Sequence, residues 1–125
     1  MNWRVLIVDD SAATRAFVTS ILEAIDGCAV TATANGFEAL KVLPRGEFDL
    51  IITDINMPDI NGLELIHFIK KIPDYQEVPL FIISTEGGER DREKGLSLGA
   101  NEYLVKPFSP DDLETLVRKY LQAEG

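Results

Sequence analysis

The chain alternates between short apolar runs and longer stretches in which apolar residues recur every three or four positions. Residues 3–8, WRVLIV, form an apolar run that is too short for a helix and rich in β-branched side chains. This predicts a strand buried on both faces. The next segment has helical spacing and ends at Asp26 and Gly27. The apolar face predicted for this first helix consists of Phe17, Ile21, Leu22 and Ile25.

A second strand and a second helix follow. Residues 28–34 alternate between apolar and polar side chains, and the Asn35-Gly36 pair ends that pattern. Helical spacing then resumes, and we expect Pro44 to end the second helix because proline lacks the backbone N–H that a helix interior needs. The predicted apolar face consists of Phe37, Leu40 and Leu43.

The third strand is predicted at residues 50–53 and leads directly into Asp54. Turn-forming residues over 56–62 then mark a loop. A third helix follows and ends at Pro73, and a fourth strand is predicted at residues 80–83. The apolar residues of the third helix are Leu65, Ile66, Ile69 and Ile72.

The last third of the chain predicts a weak helix, a strand and a strong helix. Residues 86–99 carry many charges, few apolar side chains and an internal Gly95, which predicts a weakly held helix. Residues 103–105 predict the fifth strand. Ser109 then offers an N-cap and Pro110 suits the first helical position. The apolar residues of this last helix are Leu113, Leu116, Val117, Tyr120 and Leu121.

Strands and helices that alternate in this way require a parallel sheet with right-handed crossovers and helices on both faces. We therefore predict one doubly wound α/β domain over residues 1–125, with five strands and five helices. Ligands of such sheets bind beyond the carboxyl ends of the strands. The polar residues predicted at those ends are Asp9, Asp10, Asp54, Ser84 and Lys106.

These residues together suggest phosphoryl chemistry with a metal ion. Carboxylates about 5 Å apart would repel by roughly 3 kcal/mol per pair at an effective dielectric constant of 20, so Asp9, Asp10 and Asp54 require a cation. Oxygen ligands favour Mg²⁺, with Mn²⁺ as a possibility. Lys106 and Ser84 can pair with phosphoryl oxygens, which makes Asp54 a candidate nucleophile.

Composition and charge disfavour several classes of ligand and of cellular location. The net charge of -9 disfavours binding to nucleic acid or to anionic lipid. The single cysteine, Cys28, is interpreted as a small buried core residue, which suits a reducing compartment. No apolar run approaches the ~20 residues that span a bilayer, and Met1 leads into a strand without a basic leader, so we expect a soluble cytoplasmic protein. His67, the only histidine, falls within the third helix and is not expected to be a ligand.

Several motifs occur in the order typical of one family: RVLIVDD, DINMPDINGLEL, IISTEG and NEYLVKPF. Over its whole length the chain resembles the receiver domains of two-component response regulators, and within them the free-standing chemotaxis, or CheY-like, type. The resemblance implies a flavodoxin-like sheet with strand order 2-1-3-4-5. It also implies a histidine kinase as phosphodonor and a downstream protein target.

The resemblance assigns a role to each matching residue. Asp54 matches the phosphoacceptor, Asp9 and Asp10 the acidic pair that binds Mg²⁺ directly or through water, and Asn56 the residue whose backbone carbonyl ligates the metal. In related receivers, Asn56 and Glu86 occupy positions that tune dephosphorylation.

Ser84 matches the hydroxyl residue that moves onto the phosphoryl group, and Lys106 matches the lysine that pairs with it. Tyr103 matches the aromatic switch, although periodicity alone favours an ordinary strand aromatic. A cis peptide bond before Pro107 is plausible. The implied output surface is the fourth helix, fifth strand and fifth helix, through which a monomer could also form a weak dimer.

Two departures from the chemotaxis type affect the expected partner surface. Ile55 stands where that type has tryptophan, and Gly87-Gly88 adds flexibility after the fourth strand.

Three other functional classes fit the residues less well than a receiver domain does. A Mg²⁺-dependent aspartyl phosphatase would need a second acid at position 56, where this chain has Asn56, and a substrate-covering domain, for which the chain is too short. We therefore expect no separate substrate. A flavin-binding module would need a phosphate loop where Asp9 and Asp10 stand. A docking domain that is never phosphorylated would have lost an acid or the lysine, and none is lost.

Overall fold

The computed structural model describes residues 2–57, 59–85 and 89–121. Within them, five parallel strands form one sheet in the order β2-β1-β3-β4-β5. The predicted doubly wound fold and its strand order are therefore confirmed. The strands are β1 (Trp3–Val8), β2 (Cys28–Thr33), β3 (Leu50–Asp54), β4 (Leu80–Ser84) and β5 (Glu102–Val105).

A helix follows each strand, and the first three helices and the last one begin at polar capping residues. The side chains of Ser11, Asn35 and Asn61 each accept a hydrogen bond from the backbone N–H three residues later. At the last helix, Ser109 and Asp112 each donate a backbone N–H to the other's side chain, which confirms the predicted start. The helices are α1 (Ala12–Glu23), α2 (Gly36–Gly46), α3 (Gly62–Lys70), α4 (Glu89–Ser97) and α5 (Pro110–Leu121), with a 3₁₀ turn at Pro73–Tyr75.

The sheet separates two hydrophobic clusters. Leu6 and Ile51 belong to the cluster that also contains residues of α2 and α3, and Val5 and Ile52 belong to the cluster that contains residues of α1 and α5. The central strands β3 and β4 are buried along their whole length, as their continuous apolar runs predict. None of the described helices is long and apolar enough to cross a bilayer.

Three predictions about α1 and α2 are wrong. The predicted apolar faces include Phe17 and Phe37, which are 40% and 58% exposed. Pro44 does not end α2, which continues to Gly46 and closes with Glu47 in the left-handed conformation at φ 47°. The buried residues of α2 are Gly36, Ala39, Leu43 and Gly46, a face made largely of small side chains.

The prediction that Cys28 is a core residue is also wrong, because it is half-buried on the edge strand β2. The described α4 runs over Glu89–Ser97, so it ends two residues before the predicted end at Gly99. The predicted start at residues 86–88 lies outside the described part of the chain. Gly95 is the only buried residue in the described α4. A Cβ atom there would lie 2.3 Å from Ile82 Cδ1, so the helix lies close against β4 through this glycine.

Candidate functional site

Three carboxylates meet at the carboxyl edge of the central strands. Val8 of β1 is in register with Thr53 of β3, which places the residues that follow each of them side by side. One carboxylate oxygen from each of Asp9, Asp10 and Asp54 lies within 4.8 Å of the others. Asp9 and Asp54 are buried, whereas Asp10 is exposed and opens the cluster to solvent.

Lys106 brings a cation into this cluster. Its Nζ lies 2.8 Å from Asp9 Oδ2 and 3.5 Å from Asp54 Oδ2. The lysine follows β5, where its backbone N–H donates to the Ser84 carbonyl, and the peptide bond to Pro107 is cis, as predicted. The loop after β5 therefore delivers the ammonium group to the ends of β1 and β3.

Backbone groups fix the position of Asp9. The backbone N–H of Ser11 donates to Asp9 Oδ1 over 2.8 Å, and Lys106 occupies the other carboxylate oxygen. The Asp9 carbonyl accepts a hydrogen bond of 2.8 Å from Arg15 Nη1. Sequence reasoning missed Arg15, because its position one turn into α1 indicates only an exposed helix residue.

Asp54 is held equally firmly. The backbone N–H of Ile55 donates to Asp54 Oδ1 over 2.7 Å, so Oδ2 is the oxygen turned toward Lys106. The Gly62 N–H donates to the Ile55 carbonyl, and a Cβ atom at Gly62 would lie 2.1 Å from the Asp54 carbonyl oxygen. Only glycine therefore fits where α3 begins against the end of β3.

Burial raises the pKa of Asp54 above its ordinary value. The ammonium of Lys106 opposes this by lowering the pKa, and the nearby Asp9 carboxylate raises it further. The backbone N–H groups of Ile55 and Asn56 also lower it. A second positive charge near Asp54 would therefore lower its pKa and favour the ionised carboxylate.

The donor atoms fit a hard divalent cation. Three carboxylates face one ammonium group, which leaves two negative charges uncompensated by the residues of the cluster. All three candidate ligands are oxygen donors, and Asp10 is open to water, which suits a cation that keeps part of its hydration shell. Receiver domains generally bind Mg²⁺ at such an acidic pocket. That Asn56 contributes a backbone carbonyl stays a prediction.

Replacing Asp10 with asparagine should raise the metal-free melting temperature by a few degrees and weaken Mg²⁺ binding. The substitution removes one negative charge from a cluster whose oxygens lie within 4.8 Å of one another. Thermal melts with and without Mg²⁺ measure both effects, and Asp26→Asn, an exposed acid outside the cluster, is the matched control. A clear fall in the metal-free melting temperature would mean that Asp10 stabilises the fold by another contact.

Ser84 and Tyr103 lie on neighbouring strands next to the acidic cluster. Ser84 ends β4 and is fully buried, and Tyr103 is paired with Ile82 across the β4–β5 ladder. Tyr103 is half-buried and packs against the hydrophobic cluster beneath α3. Glu86 falls outside the described residues. His67 is exposed on α3, away from the cluster, as predicted.

An apolar cavity of about 220 Å³ lies beside Lys106, and the residue pattern does not predict it. Phe17 and Phe108 contribute rings whose centroids are 5.7 Å apart. Helical spacing assigned Phe17 to the core, whereas its ring instead covers the loop that carries Lys106. The lining residues are Ala13, Thr14, Phe17, Lys106, Pro107 and Phe108.

Comparisons with known proteins agree with this arrangement. Residues 5–118 match the family described as the response regulator receiver domain. A CheY homolog of Campylobacter jejuni, a chemotaxis protein, is 36% identical over 112 residues, which are 89% of this chain and 86% of that protein.

Solved structures give the same result. Chemotaxis protein CheY4 of Vibrio cholerae superposes with a TM-score of 0.90 at 34% identity, covering 97% of this chain and 100% of that one. The receiver domain of a sensor histidine kinase from Pseudomonas aeruginosa superposes with a TM-score of 0.87 at 25% identity, covering 98% and 99% of the two chains. That domain has a magnesium ion coordinated in its active site cleft.

Proposed function

We propose, because the chain belongs to the response regulator receiver domain family, that it receives a phosphoryl group on Asp54 from a histidine kinase. The observation that best supports this proposal is the position of the Lys106 ammonium, 2.8 Å from Asp9 and 3.5 Å from Asp54 at the carboxyl edge of the sheet. A cation held there can pair with the oxygens of an incoming phosphoryl group.

Asp54 supplies the nucleophile in this proposal. Its Oδ1 is occupied by the Ile55 N–H, so Oδ2 forms the new bond to phosphorus. The bond between phosphorus and the kinase imidazole nitrogen breaks, and the imidazole keeps the electron pair. Lys106 can then shift from Asp9 toward the transferred group, because its Nζ already lies between the two carboxylates.

Asp9, Asp10 and Asp54 would hold Mg²⁺, with the Asn56 carbonyl as a further ligand. When bound, the ion supplies positive charge to the carboxylates and to the phosphoryl oxygens. Asp9 and Asp54 are rigid partners because backbone N–H groups hold one oxygen of each. Asp10 is exposed and remains accessible to water.

The kinase would approach over the apolar cavity next to Lys106. Phe17 is 40% exposed there and packs at a tilt against the half-buried Phe108. A partly exposed aromatic pair beside a charged site suits a protein partner, since interface cores are enriched in aromatic residues.

Incubation with acetyl phosphate and Mg²⁺ should add one phosphoryl group to the chain. Intact mass spectrometry measures the adduct, and EDTA should prevent it because three carboxylates then repel the donor. Adduct formation that is equally fast in EDTA would contradict the metal-assisted site.

We infer that phosphorylation is read through α4, β5 and α5. A phosphoryl group attracts the Ser84 hydroxyl, which lies at the end of β4. Tyr103, half-buried on the neighbouring strand, can follow by turning inward. Because α4 touches β4 through Gly95 and buries no other described residue, a small shift of β4 can displace it.

Replacing Tyr103 with alanine should leave phosphorylation of Asp54 intact but remove the response of α4. Amide exchange with and without beryllofluoride measures the response across residues 89–105. Phe37→Ala, which removes an exposed aromatic from α2, is the control and should retain it. Protection changes confined to the Asp54 loop in the wild-type protein would refute this route.

We propose no separate substrate. An aspartyl phosphatase needs a second acid two residues after the nucleophile, and this position is the exposed Asn56. A docking domain that is never phosphorylated is disfavoured by the gathered carboxylates and the lysine they share.

A further inference from the structure

A second cavity, lined in part by basic residues, lies between α2 and the strands β1 and β2. Its volume is about 410 Å³, which falls in the usual range of small-molecule sites. Arg4 near the start of β1 forms part of it, and about five residues at ~3.3 Å each separate Arg4 from Asp9. The cavity is therefore distinct from the phosphorylation site. It is lined by Arg4, Thr31, Lys41, Val42, Arg45, Gly46 and Phe48.

The charge of this lining is opposite to that of the chain. The sequence has 21 acidic and 12 basic residues, yet the lining includes three cations and no acid. Within residues 2–57, 59–85 and 89–121, ion pairs are formed by Lys106, Arg118 and Lys119, and by none of the three cations of the cavity. Arg4, Lys41 and Arg45 thus face a shared space without a carboxylate partner.

Helix stabilisation explains only part of this cluster. Arg45 lies in the last turn of α2, where a cation favourably opposes the helix dipole, whereas Lys41 lies one turn earlier, in the middle of the helix. Arg4, however, comes from β1 and gains nothing from that dipole. All three side chains are exposed, so water screens most of their mutual repulsion, and the cavity offers an anion cationic donors from two separate elements.

The floor of the cavity is rigid. A Cβ atom at Gly46 would lie 2.1 Å from Phe48 Cε2, so the ring packs directly against the glycine backbone. The Arg4 guanidinium carbon lies 5.8 Å from the centroid of the same ring. The Asp49 carboxylate accepts from the backbone N–H of Arg4, over 2.8 Å, and forms no ion pair with the guanidinium.

We propose that this cavity binds a compact small molecule carrying at least two phosphate groups. A planar guanidinium suits bidentate contact with phosphate, and Lys41, Arg45 and the Thr31 hydroxyl complete the donor set. Phe48 is buried with Arg4 over its face, so the ring is closed to a nucleobase. Recognition therefore rests on the diphosphate.

The test is a titration of the metal-free, ¹⁵N-labelled chain with pyrophosphate at constant ionic strength, followed by NMR. Chemical shift changes should centre on residues 4, 31 and 41–48. The double variant Lys41→Gln/Arg45→Gln should bind about tenfold more weakly, since charge-assisted contacts are the strong ones. Arg90→Gln/Arg92→Gln on α4 loses the same charge and should bind like the wild type.

Titrations with other anions test which chemical group the cavity recognises. Sulfate, a single anionic centre, should bind more weakly than pyrophosphate, and ADP should match pyrophosphate. Asp54→Asn should leave this binding unchanged, which separates its outcome from that of the phosphoacceptor proposal. Shifts centred on Ser84 and Lys106, or equal losses in the two double variants, would overturn the proposal.

Discussion

Replacing Asp54 with asparagine should abolish phosphorylation by acetyl phosphate while the chain stays folded. The amide keeps the shape of the carboxylate, and its oxygen can still accept the Ile55 N–H that now binds Oδ1. It lacks the anionic oxygen that would attack phosphorus. Intact mass spectrometry should detect no adduct in this variant, whereas the wild-type chain should gain one phosphoryl group.

Asp59→Asn is the matched control. Asp59 is an exposed acid within the loop that follows Asp54, and its carboxylate accepts hydrogen bonds from the backbone N–H groups of Gly36 and Phe37 at the start of α2. This variant should be phosphorylated like the wild type. An adduct that persists in Asp54→Asn would place the acceptor on another residue.

Replacing Lys106 with methionine should lower the free energy of unfolding by roughly 2 to 3 kcal/mol in the absence of metal, because it leaves a buried charge unpaired. Asp9 is fully buried and would lose its 2.8 Å ion pair, and Asp54 would lose the only cation near its Oδ2 among the described residues. Methionine keeps most of the side-chain volume, so packing changes little.

Urea denaturation without metal measures this loss. Lys119→Met removes the same charge from an exposed side chain whose Nζ is 3.9 Å from Glu102, and it should change stability little. Added Mg²⁺ should restore part of the loss in Lys106→Met, since it replaces the missing positive charge. Equal effects of the two substitutions would contradict the charge balance described for the site.

The sequence predicted the strands well because their signal is simple. The apolar runs of β1, β3 and β4 reflect burial on both faces of a parallel sheet. The edge strand β2 has a weaker pattern, and there Cys28 was wrongly assigned to the core. Apolar residues at an edge are only partly covered, which spacing alone does not reveal.

The helix faces were harder to predict because glycine and alanine make several of the contacts. In α2 the buried face includes Gly36, Ala39 and Gly46, which add little to an apolar pattern. The pattern therefore predicts that the larger Phe37 is buried, whereas its side chain is exposed. In α4 the single buried residue is Gly95. Close approach through a missing side chain leaves no hydrophobic signal in the sequence.

The site was predicted from a topological rule, which places strand-end residues at one edge whatever lies between them in sequence. That rule brought Asp9, Asp54 and Lys106 together, as the structure does. It could not predict the contact of Arg15 with the Asp9 carbonyl or the aromatic cover beside Lys106. Those contacts depend on side-chain conformations that the residue pattern does not determine.

The most direct measurement is the location of the phosphoryl group after treatment with acetyl phosphate and Mg²⁺. Borohydride reduces an aspartyl phosphate to homoserine, and peptide mapping by tandem mass spectrometry then identifies the modified residue. We predict a single conversion at Asp54, whose Oδ2 lies 3.5 Å from Lys106. Conversion at Asp9, Asp10 or Asp59, with Asp54 unmodified, would contradict the proposed function.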